Sequence, residues 1–115
     1  MKILWQSQHA PLQKQLDALR RRFGDVEVDQ DENPFSNAEQ VLHHVQKGGY
    51  QEIVIVAPLS VIAKLCELGL RPLYAIMDQV AHRSEADLVY RNRMYRFNRF
   101  VRVKAVRMET EELVD

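Results

Sequence analysis

An alternation of apolar strand-like segments with amphipathic segments runs through the first 80 residues and limits the chain to a wound α/β fold. Strands are predicted at residues 3–5, 26–28, 53–57 and 72–77. The third segment reads IVIVA, and such an almost continuous β-branched run is typical of a strand covered by helices on both faces. We expect it at the centre of the sheet, whereas the alternation with acidic residues in the second segment suits an edge. Because parallel crossovers are almost always right-handed, the sequence predicts a Rossmann-like open sheet of four parallel strands with helices on both faces.

Three helices are predicted between these strands. The first spans residues 11–24 and buries a stripe spaced at i, i+4, i+7 and i+11, formed by Leu12, Leu16, Leu19 and Phe23. Ser36 and Glu39 stand three residues apart in a capping-box pattern, which predicts the start of a second helix that ends before Gly48. Ser60 is expected to cap the third helix, because serine is favoured at that position.

The chain becomes basic after about residue 82. Residues 83–107 hold eight basic and two acidic side chains, a local balance of +6. Apolar and polar side chains alternate there, with one face formed by Tyr95, Phe97, Val101, Val103 and Ala105. The pattern predicts a β-hairpin whose first strand is 88–90 and which joins or flanks the parallel sheet. We expect one domain over residues 1–115, with βα repeats in 1–80 and a basic hairpin and acidic tail in 81–115.

Composition excludes several classes of protein. Sixteen basic and sixteen acidic side chains cancel, so the overall charge indicates no partner. The single cysteine, Cys66, cannot form an internal disulfide or a multi-cysteine zinc site, which favours a reducing, cytoplasmic setting. No window approaches the roughly 18 apolar residues of a membrane span, so no membrane association is expected.

The common nucleotide motifs are missing as well. Neither G-x-G-x-x-G nor the P-loop pattern occurs, and the loop after the first strand contains no glycine. The third strand ends in Ala57 rather than an acid, which argues against a phospho-accepting receiver domain. No paired carboxylates follow neighbouring strands, so neither a metal ion nor a cofactor is expected.

The loops that follow the strands are the expected ligand site. Helix N-termini direct free N–H groups and a positive dipole to that edge of a parallel sheet. The loops carry small polar side chains that suit a ligand with phosphates and base edges, namely Ser7, Gln8, His9, Ser36, Asn37 and Ser60. The alternative for Ser36 and Ser60 is that they only cap helices.

The basic hairpin offers a second set of ligand-binding residues, Arg91, Arg93 and Arg96. Arginines interleaved with Tyr and Phe suit the recognition of phosphates and bases. Alternate arginines on a strand are also typical of a solvated face or of a guarded sheet edge. Both interpretations stay open, since the acidic segments can offset this charge within one molecule or across a dimer.

His9 is the candidate catalytic residue. It precedes a helix, where an imidazole can contact an anion or act as a general acid or base, and the alternative is an exposed or capping histidine. His43 and His44 are adjacent on a helix and point about 100° apart, so they share no metal-binding face and are interpreted as surface residues. Cys66 lies on an apolar helix face and is interpreted as core packing.

The segments ILWQSQH at 3–9 and IVIVAPLS at 53–60, with the basic hairpin, resemble the small CRISPR-associated Rossmann-like proteins that bind cyclic oligoadenylate, the CARF-like and ring-nuclease-like group. The likeness covers most of the chain as topology. It implies a homodimer in which two sets of strand ends face each other and hold a symmetric ring of phosphates. It also implies that Ser7, Gln8, His9 and Ser60 line the pocket and that an arginine of the hairpin neutralises phosphate.

Three functions are therefore open at this stage. The first is binding of a nucleotide-type anionic ligand, with a cyclic oligonucleotide second messenger as the specific candidate. The second is a metal-independent phosphodiesterase that opens such a ring, in which His9 is a base or a phosphate clamp. The third is a nucleic-acid or protein interaction module that uses the arginine-rich hairpin.

Overall fold

The computed structural model describes residues 1–114, which form one six-stranded sheet with three α-helices. The strands are β1 (Lys2–Gln6), β2 (Glu27–Asp31), β3 (Glu52–Ile55), β4 (Leu73–Val80), β5 (Leu88–Tyr90) and β6 (Arg93–Arg102). The helices are α1 (Gln13–Phe23), α2 (Ala38–Gly48) and α3 (Leu59–Glu67), and a single 3-10 turn covers Arg83–Glu85. The α/β class predicted from the alternating pattern is confirmed.

The strand order is β2-β1-β3-β4-β6-β5, and the sheet is mixed. β1 pairs in parallel with both β2 and β3. β4 is parallel to β3 but pairs with it at one position only, Val54 with Leu73, and it runs antiparallel to β6 along its whole length. The prediction of a four-stranded parallel sheet with an attached hairpin therefore needs correction. The hairpin is an integral part of the sheet, because β6 rather than β3 is the main partner of β4.

The core consists of two apolar clusters, one on each side of the sheet. Neighbouring residues of a strand point to opposite faces, so Leu4 and Ile53 pack with α2 and α3, whereas Ile3, Trp5 and Val54 pack with Leu19 of α1. Ile53, Val54 and Ile55 of β3 are buried, as the β-branched run predicts, but the strand ends at Ile55 and Val56 is 62% exposed. β2 is an edge strand.

Two of the predicted helix caps are wrong. The N-cap of α2 is Asn37, whose side chain accepts a 2.8 Å hydrogen bond from the Gln40 backbone N–H. The side-chain oxygen of Gln40 accepts a 2.6 Å hydrogen bond from the N–H of Ser36, the residue before the N-cap, so the reciprocal pair predicted for Ser36 and Glu39 does not form. α3 begins after Pro58, which leaves Ser60 within its first turn and without a capping hydrogen bond.

The alternation predicted for the basic strand breaks at a β-bulge. Met77 pairs with Phe97 and Ile76 pairs with Arg99, so Asn98 is an extra residue in β6. The bulge places Phe97 and Phe100 side by side, with ring centroids 5.0 Å apart. The predicted face that continues from Phe97 to Val101 is therefore interrupted, and beyond the bulge Phe100 packs against the core cluster that contains α1.

The β5–β6 hairpin is closed by Arg91 and Asn92, whose φ angles are 50° and 62°. Two central residues with positive φ define the type I′ turn, whose twist matches that of the flanking strands. After β6 the chain has no helix or strand up to residue 114. None of the helices in residues 1–114, the longest of which has 11 residues, is long and apolar enough to cross a bilayer.

Candidate ligand-binding site

The carboxyl ends of β1, β2 and β3 form one rim of the sheet, and two adjoining pockets open there. From β1 the chain winds first toward β2 and later toward β3 on the other side, so the crevice lies at the point where the winding direction changes. The loop 7–10, which follows β1, lies between the pockets. Ser7, His9 and Val56 line both of them.

The first pocket is apolar and has a volume of about 190 Å³. It lies where β3 and β4 separate beyond their single paired position, which leaves the inner faces of both strands open to it. Its apolar walls include Trp5, Val54, Val56, Tyr74, Met77 and Leu88. A pocket of this kind suits a flat apolar or aromatic group better than a charged one.

The second pocket is polar and has a volume of about 230 Å³. Its walls include Gln6, Gln8, Asp31, Glu32, Asn33 and Tyr90. The buried Gln6 side chain donates hydrogen bonds to the carbonyl oxygens of Asp31 and Asn33, both at 3.2 Å, and thereby joins the end of β1 to the loop after β2. Two carboxylates give this pocket a negative wall, which differs from the positive site expected from the sequence.

The loop between the pockets is held by three hydrogen bonds. The indole Nε1 of Trp5 donates to the carbonyl oxygen of His9 at 2.8 Å. The His9 backbone N–H donates to Ser7 Oγ at 3.1 Å, and the side chain of Gln30 donates to the Ser7 carbonyl oxygen at 3.2 Å. The site therefore forms on a fixed loop whose anchor, Trp5, belongs to the core.

The hairpin reaches the same rim. The His9 ring meets the Tyr90 ring edge-on with centroids 5.3 Å apart, and the Arg91 guanidinium carbon lies 5.2 Å from the centroid of Tyr90. Within residues 1–114, the His9 ring takes part in no hydrogen bond or ion pair. Tyr90 is thus the hairpin residue that lines the polar pocket, and Arg91 lies next to it in the turn.

The base of the hairpin is joined to α1 by Asp87. Its carboxylate accepts a 2.9 Å hydrogen bond from the Phe97 N–H and pairs with Lys14 Nζ at 2.9 Å. The hydrogen bond from Lys14, with that from Phe97, holds the pKa of the Asp87 carboxyl below its usual value of 3.8 against the opposing effect of burial. This carboxylate therefore fixes the strand that carries Tyr90 at the pocket.

The structure brings together only part of the site predicted from the sequence. Ser7, Gln8 and His9 form one wall of the polar pocket. Six other predicted ligand residues line neither pocket, namely Ser36, Asn37, Ser60, Arg91, Arg93 and Arg96. The reason is visible for Ser36 and Asn37, which make the hydrogen bonds at the start of α2, whereas Ser60, Arg93 and Arg96 are exposed elsewhere.

His44, which the sequence interpretation assigned to the surface, lies beside this rim with Asp31. His44 Nδ1 is 3.1 Å from Asp31 Oδ2, and both residues line a third pocket of about 250 Å³ that adjoins the polar one through Gln6, Asp31 and Asn33. The His44 ring also meets the Tyr50 ring edge-on at 5.9 Å. One signal was available: Asp31 is the acidic residue that ends β2, where parallel strands present functional groups.

Tyr50, whose ring contacts the ring of His44, is itself held by a hydrogen bond to β2. Its hydroxyl donates a 2.8 Å hydrogen bond to Asp29 Oδ2. Burial, together with that bond and the neighbouring carboxylates of β2, raises the pKa of the Tyr50 phenol above its usual 10.0, so the hydroxyl remains a donor at neutral pH. In residues 1–114 no group of three or more His, Cys, Asp or Glu side chains is placed to hold a metal ion.

The chain matches no protein-family model, no curated protein and no solved structure.

Proposed function

We propose that the protein is a Rossmann-like, cytoplasmic binding domain for a nucleotide-type ligand, with cyclic oligoadenylate of CRISPR-type antiviral defence as the specific candidate. The observation that carries the proposal is that Ser7 and His9 line both an apolar and a polar pocket at the carboxyl ends of parallel strands. Open α/β sheets bind their ligands at this edge, and a nucleotide has both an apolar face and polar edges.

In this proposal each pocket binds a different part of the ligand. A base fits the apolar pocket, whose walls include the ring of Tyr74 and the side chain of Met77. Ribose hydroxyls suit the polar pocket, because the carboxylates of Asp31 and Glu32 accept hydrogen bonds but repel phosphate. The phosphates then point toward the turn, where Arg91 supplies positive charge beside Tyr90.

A cyclic oligonucleotide is larger than one of these pockets, so the proposal includes a homodimer. The edge strand β5 lies beside the polar pocket and exposes two apolar residues, Val89 (48% exposed) and Tyr90 (43% exposed). An exposed strand edge is a template for pairing with a second chain. Light scattering coupled to size exclusion, with and without ligand, tests the dimer separately from binding.

The binding experiment uses calorimetry and thermal melting with cyclic tetra-adenylate, cyclic hexa-adenylate and AMP. A ligand that binds only the folded state stabilises that state by about 2.7 kcal/mol at a ligand concentration of 100 times Kd, so the melting temperature of the protein must rise. We expect a rise with at least one ring and a smaller one with AMP. No rise with any nucleotide at millimolar concentration would overturn the proposal, and a rise with AMP alone would reject the ring.

Two matched serine variants locate the site. Ser7→Ala removes a hydroxyl that lines both pockets, and we expect about tenfold weaker binding. Ser60→Ala removes an exposed hydroxyl outside both pockets and should change Kd less than twofold. Ala10→Phe places a ring in the apolar pocket and should abolish binding while the protein stays folded. Equal effects of the two serine variants would contradict this placement.

The second candidate function, a metal-independent phosphodiesterase, is favoured by the pair of His44 and Asp31. A carboxylate 3.1 Å from Nδ1 orients the imidazole as a general base. The imidazole takes the proton of a ribose 2′-hydroxyl, whose oxygen attacks the adjacent phosphorus and forms a 2′,3′-cyclic phosphate. The P–O bond to the neighbouring 5′ oxygen breaks, and His9 is the candidate group that returns a proton to that oxygen.

This reaction is tested by incubating cyclic oligoadenylate with EDTA-treated protein and separating the products by chromatography. Linear products that end in 2′,3′-cyclic phosphate are expected. His44→Ala and His9→Ala should each lower the rate at least a hundredfold, because general acid–base catalysis contributes on that order. His82→Ala changes an exposed histidine outside these pockets and is the control, with an unchanged rate. Intact ligand after a long incubation would contradict the phosphodiesterase and leave ligand binding as the only proposed function.

A further inference from the structure

We propose that a second site, the groove between the last turn of α1 and strand β6, binds single-stranded nucleic acid. The groove has a volume of about 370 Å³ and shares no lining residue with the pockets at the rim. Its lining contains four arginines and no acidic residue: Arg21, Arg22, Arg99 and Arg102. The chain as a whole is neutral, so this concentration of positive charge is local.

Three of the four arginines form no ion pair with an acidic side chain within residues 1–114. Arg102 makes two hydrogen bonds of 2.8 and 2.9 Å to the carboxylate of Glu52, which neutralises it and raises the pKa of its guanidinium further. The ion pairs formed by residues 1–114 do not include Arg21, Arg22 or Arg99. These three side chains are exposed and available to an anionic partner.

The β-bulge shapes the strand side of the groove. Asn98, the extra residue, accepts a 3.0 Å hydrogen bond from Arg99 Nη1 on its side-chain oxygen, which restrains the guanidinium. The same bulge places Phe97 and Phe100 together at the floor. In a strand without a bulge, residues 97 and 100 would lie on opposite faces of the sheet.

The helix side adds a further aromatic ring beside the charge. Phe23 is half-buried in the groove wall, and the guanidinium carbon of Arg22 lies 5.1 Å from its ring centroid. Guanidinium planes and aromatic rings are the two surfaces on which unpaired bases stack, and arginines beside them neutralise the phosphates. A duplex hides its base faces, so the combination favours a single strand.

The test measures fluorescence anisotropy of labelled 12-mers of single-stranded RNA, single-stranded DNA and duplex DNA between 50 and 200 mM salt. We expect binding of single strands, with a slope of log K against log salt of about −2, since three neutralised phosphates on a single strand give roughly −0.7 each. Tighter binding of RNA than of DNA would assign a role to the 2′-hydroxyl. Equal or tighter binding of the duplex would overturn the assignment to single strands.

Two triple variants that remove the same charge locate the interface. Arg21→Gln, Arg22→Gln and Arg99→Gln together should weaken binding at least tenfold and flatten the salt slope. Arg83→Gln, Arg93→Gln and Arg96→Gln together remove three exposed arginines outside the groove and should change Kd less than threefold. All six side chains are exposed, so both variants should melt near the wild-type temperature.

Phe23→Leu separates stacking from charge. It should weaken single-strand binding several-fold and leave the salt slope unchanged, because no phosphate contact is lost. Three results would overturn the groove site: equal losses in the two triple variants, no binding by the wild-type protein at 50 mM salt with 100 μM protein, or unchanged binding in the groove variant.

Discussion

The indole Nε1 of Trp5 lies 2.8 Å from the carbonyl oxygen of His9 and donates a hydrogen bond to it. The Trp5 side chain is only 3% exposed and packs in the core cluster on the α1 side, where its ring meets Phe100 edge-on. One residue therefore belongs both to the core and to the loop that lines the two rim pockets. Because of this link, we expect changes in core packing to alter the position of the loop 7–10 that lines the pockets.

Trp5→Phe is expected to loosen the loop 7–10 as well as lower stability. The phenyl ring keeps most of the packing but cannot donate to His9, and we expect a loss of about 1–2 kcal/mol in the free energy of unfolding. Denaturant unfolding measures that loss, and hydrogen exchange measures faster exchange of the loop amides.

Tyr50→Phe is the matched control for this variant. It removes the 2.8 Å hydrogen bond to Asp29 and should also lower stability, but it touches no part of the loop 7–10. Faster loop exchange in both variants would mean that global stability, rather than the bond from Trp5, controls the loop.

Much of the fold was predictable because the spacing of apolar residues in the sequence indicates which segments form helices and which form strands. The IVIVA run indicated a central buried strand, and β3 is buried between β1 and β4. The apolar stripe of α1 and the hairpin at 88–102 followed from their periods of 3.6 and 2. The caps were displaced, since Asn37 competes with the adjacent Ser36 at α2 and Pro58 takes the position two residues before Ser60 at α3.

The site was less predictable because long-range pairing determines it. The apolar pocket exists where β4 leaves β3 to pair with β6, and the contact between His9 and Tyr90 joins residues 81 positions apart in the chain. The bulge at Asn98 breaks the alternation of β6 without any glycine or proline to mark it. The position of Ser7 and His9 on the rim, in contrast, followed from their place directly after β1.

The Asp87 carboxylate should make stability depend on pH in the acidic range. Its pKa is lowered in the folded protein, first by the hydrogen bond from Lys14, so its contribution is present above the unfolded value of 3.8 and is lost as pH falls through the folded pKa. Asp87→Asn should therefore cost about 1 kcal/mol at pH 7, since Lys14 is mostly exposed, and much less at the acid end. Urea unfolding between pH 2.5 and 7 measures the difference.

Glu85→Gln is the control for this pH series. Glu85 is exposed in the neighbouring 3-10 turn and makes no ion pair within residues 1–114. Its variant should follow the wild-type curve at every pH. A constant gap between Asp87→Asn and the wild type would assign the loss to packing rather than to charge.

Leu65→Ala should be among the most damaging single substitutions. Leu65 is 0% exposed and lies in the core cluster that joins α2, α3 and the sheet. Removing its buried side chain should lower the free energy of unfolding by about 3 kcal/mol, because a cavity remains. Leu113→Ala makes the same chemical change at a residue that is 91% exposed and should cost less than about 0.5 kcal/mol. A loss below about 1 kcal/mol at Leu65 would contradict this account of the core.

The turn at Asn92 should control both stability and the rim site. Its φ of 62° lies in the left-handed region, which glycine adopts freely, asparagine tolerates and alanine adopts at a cost of about 1 kcal/mol. We expect Asn92→Ala to lower stability by about that amount and Asn92→Gly to leave it unchanged. Because the turn follows directly on Tyr90, which packs against His9, only the alanine variant should also weaken nucleotide binding at the polar pocket. Weaker binding in the glycine variant as well would show that the asparagine side chain, rather than the backbone conformation, supports the site.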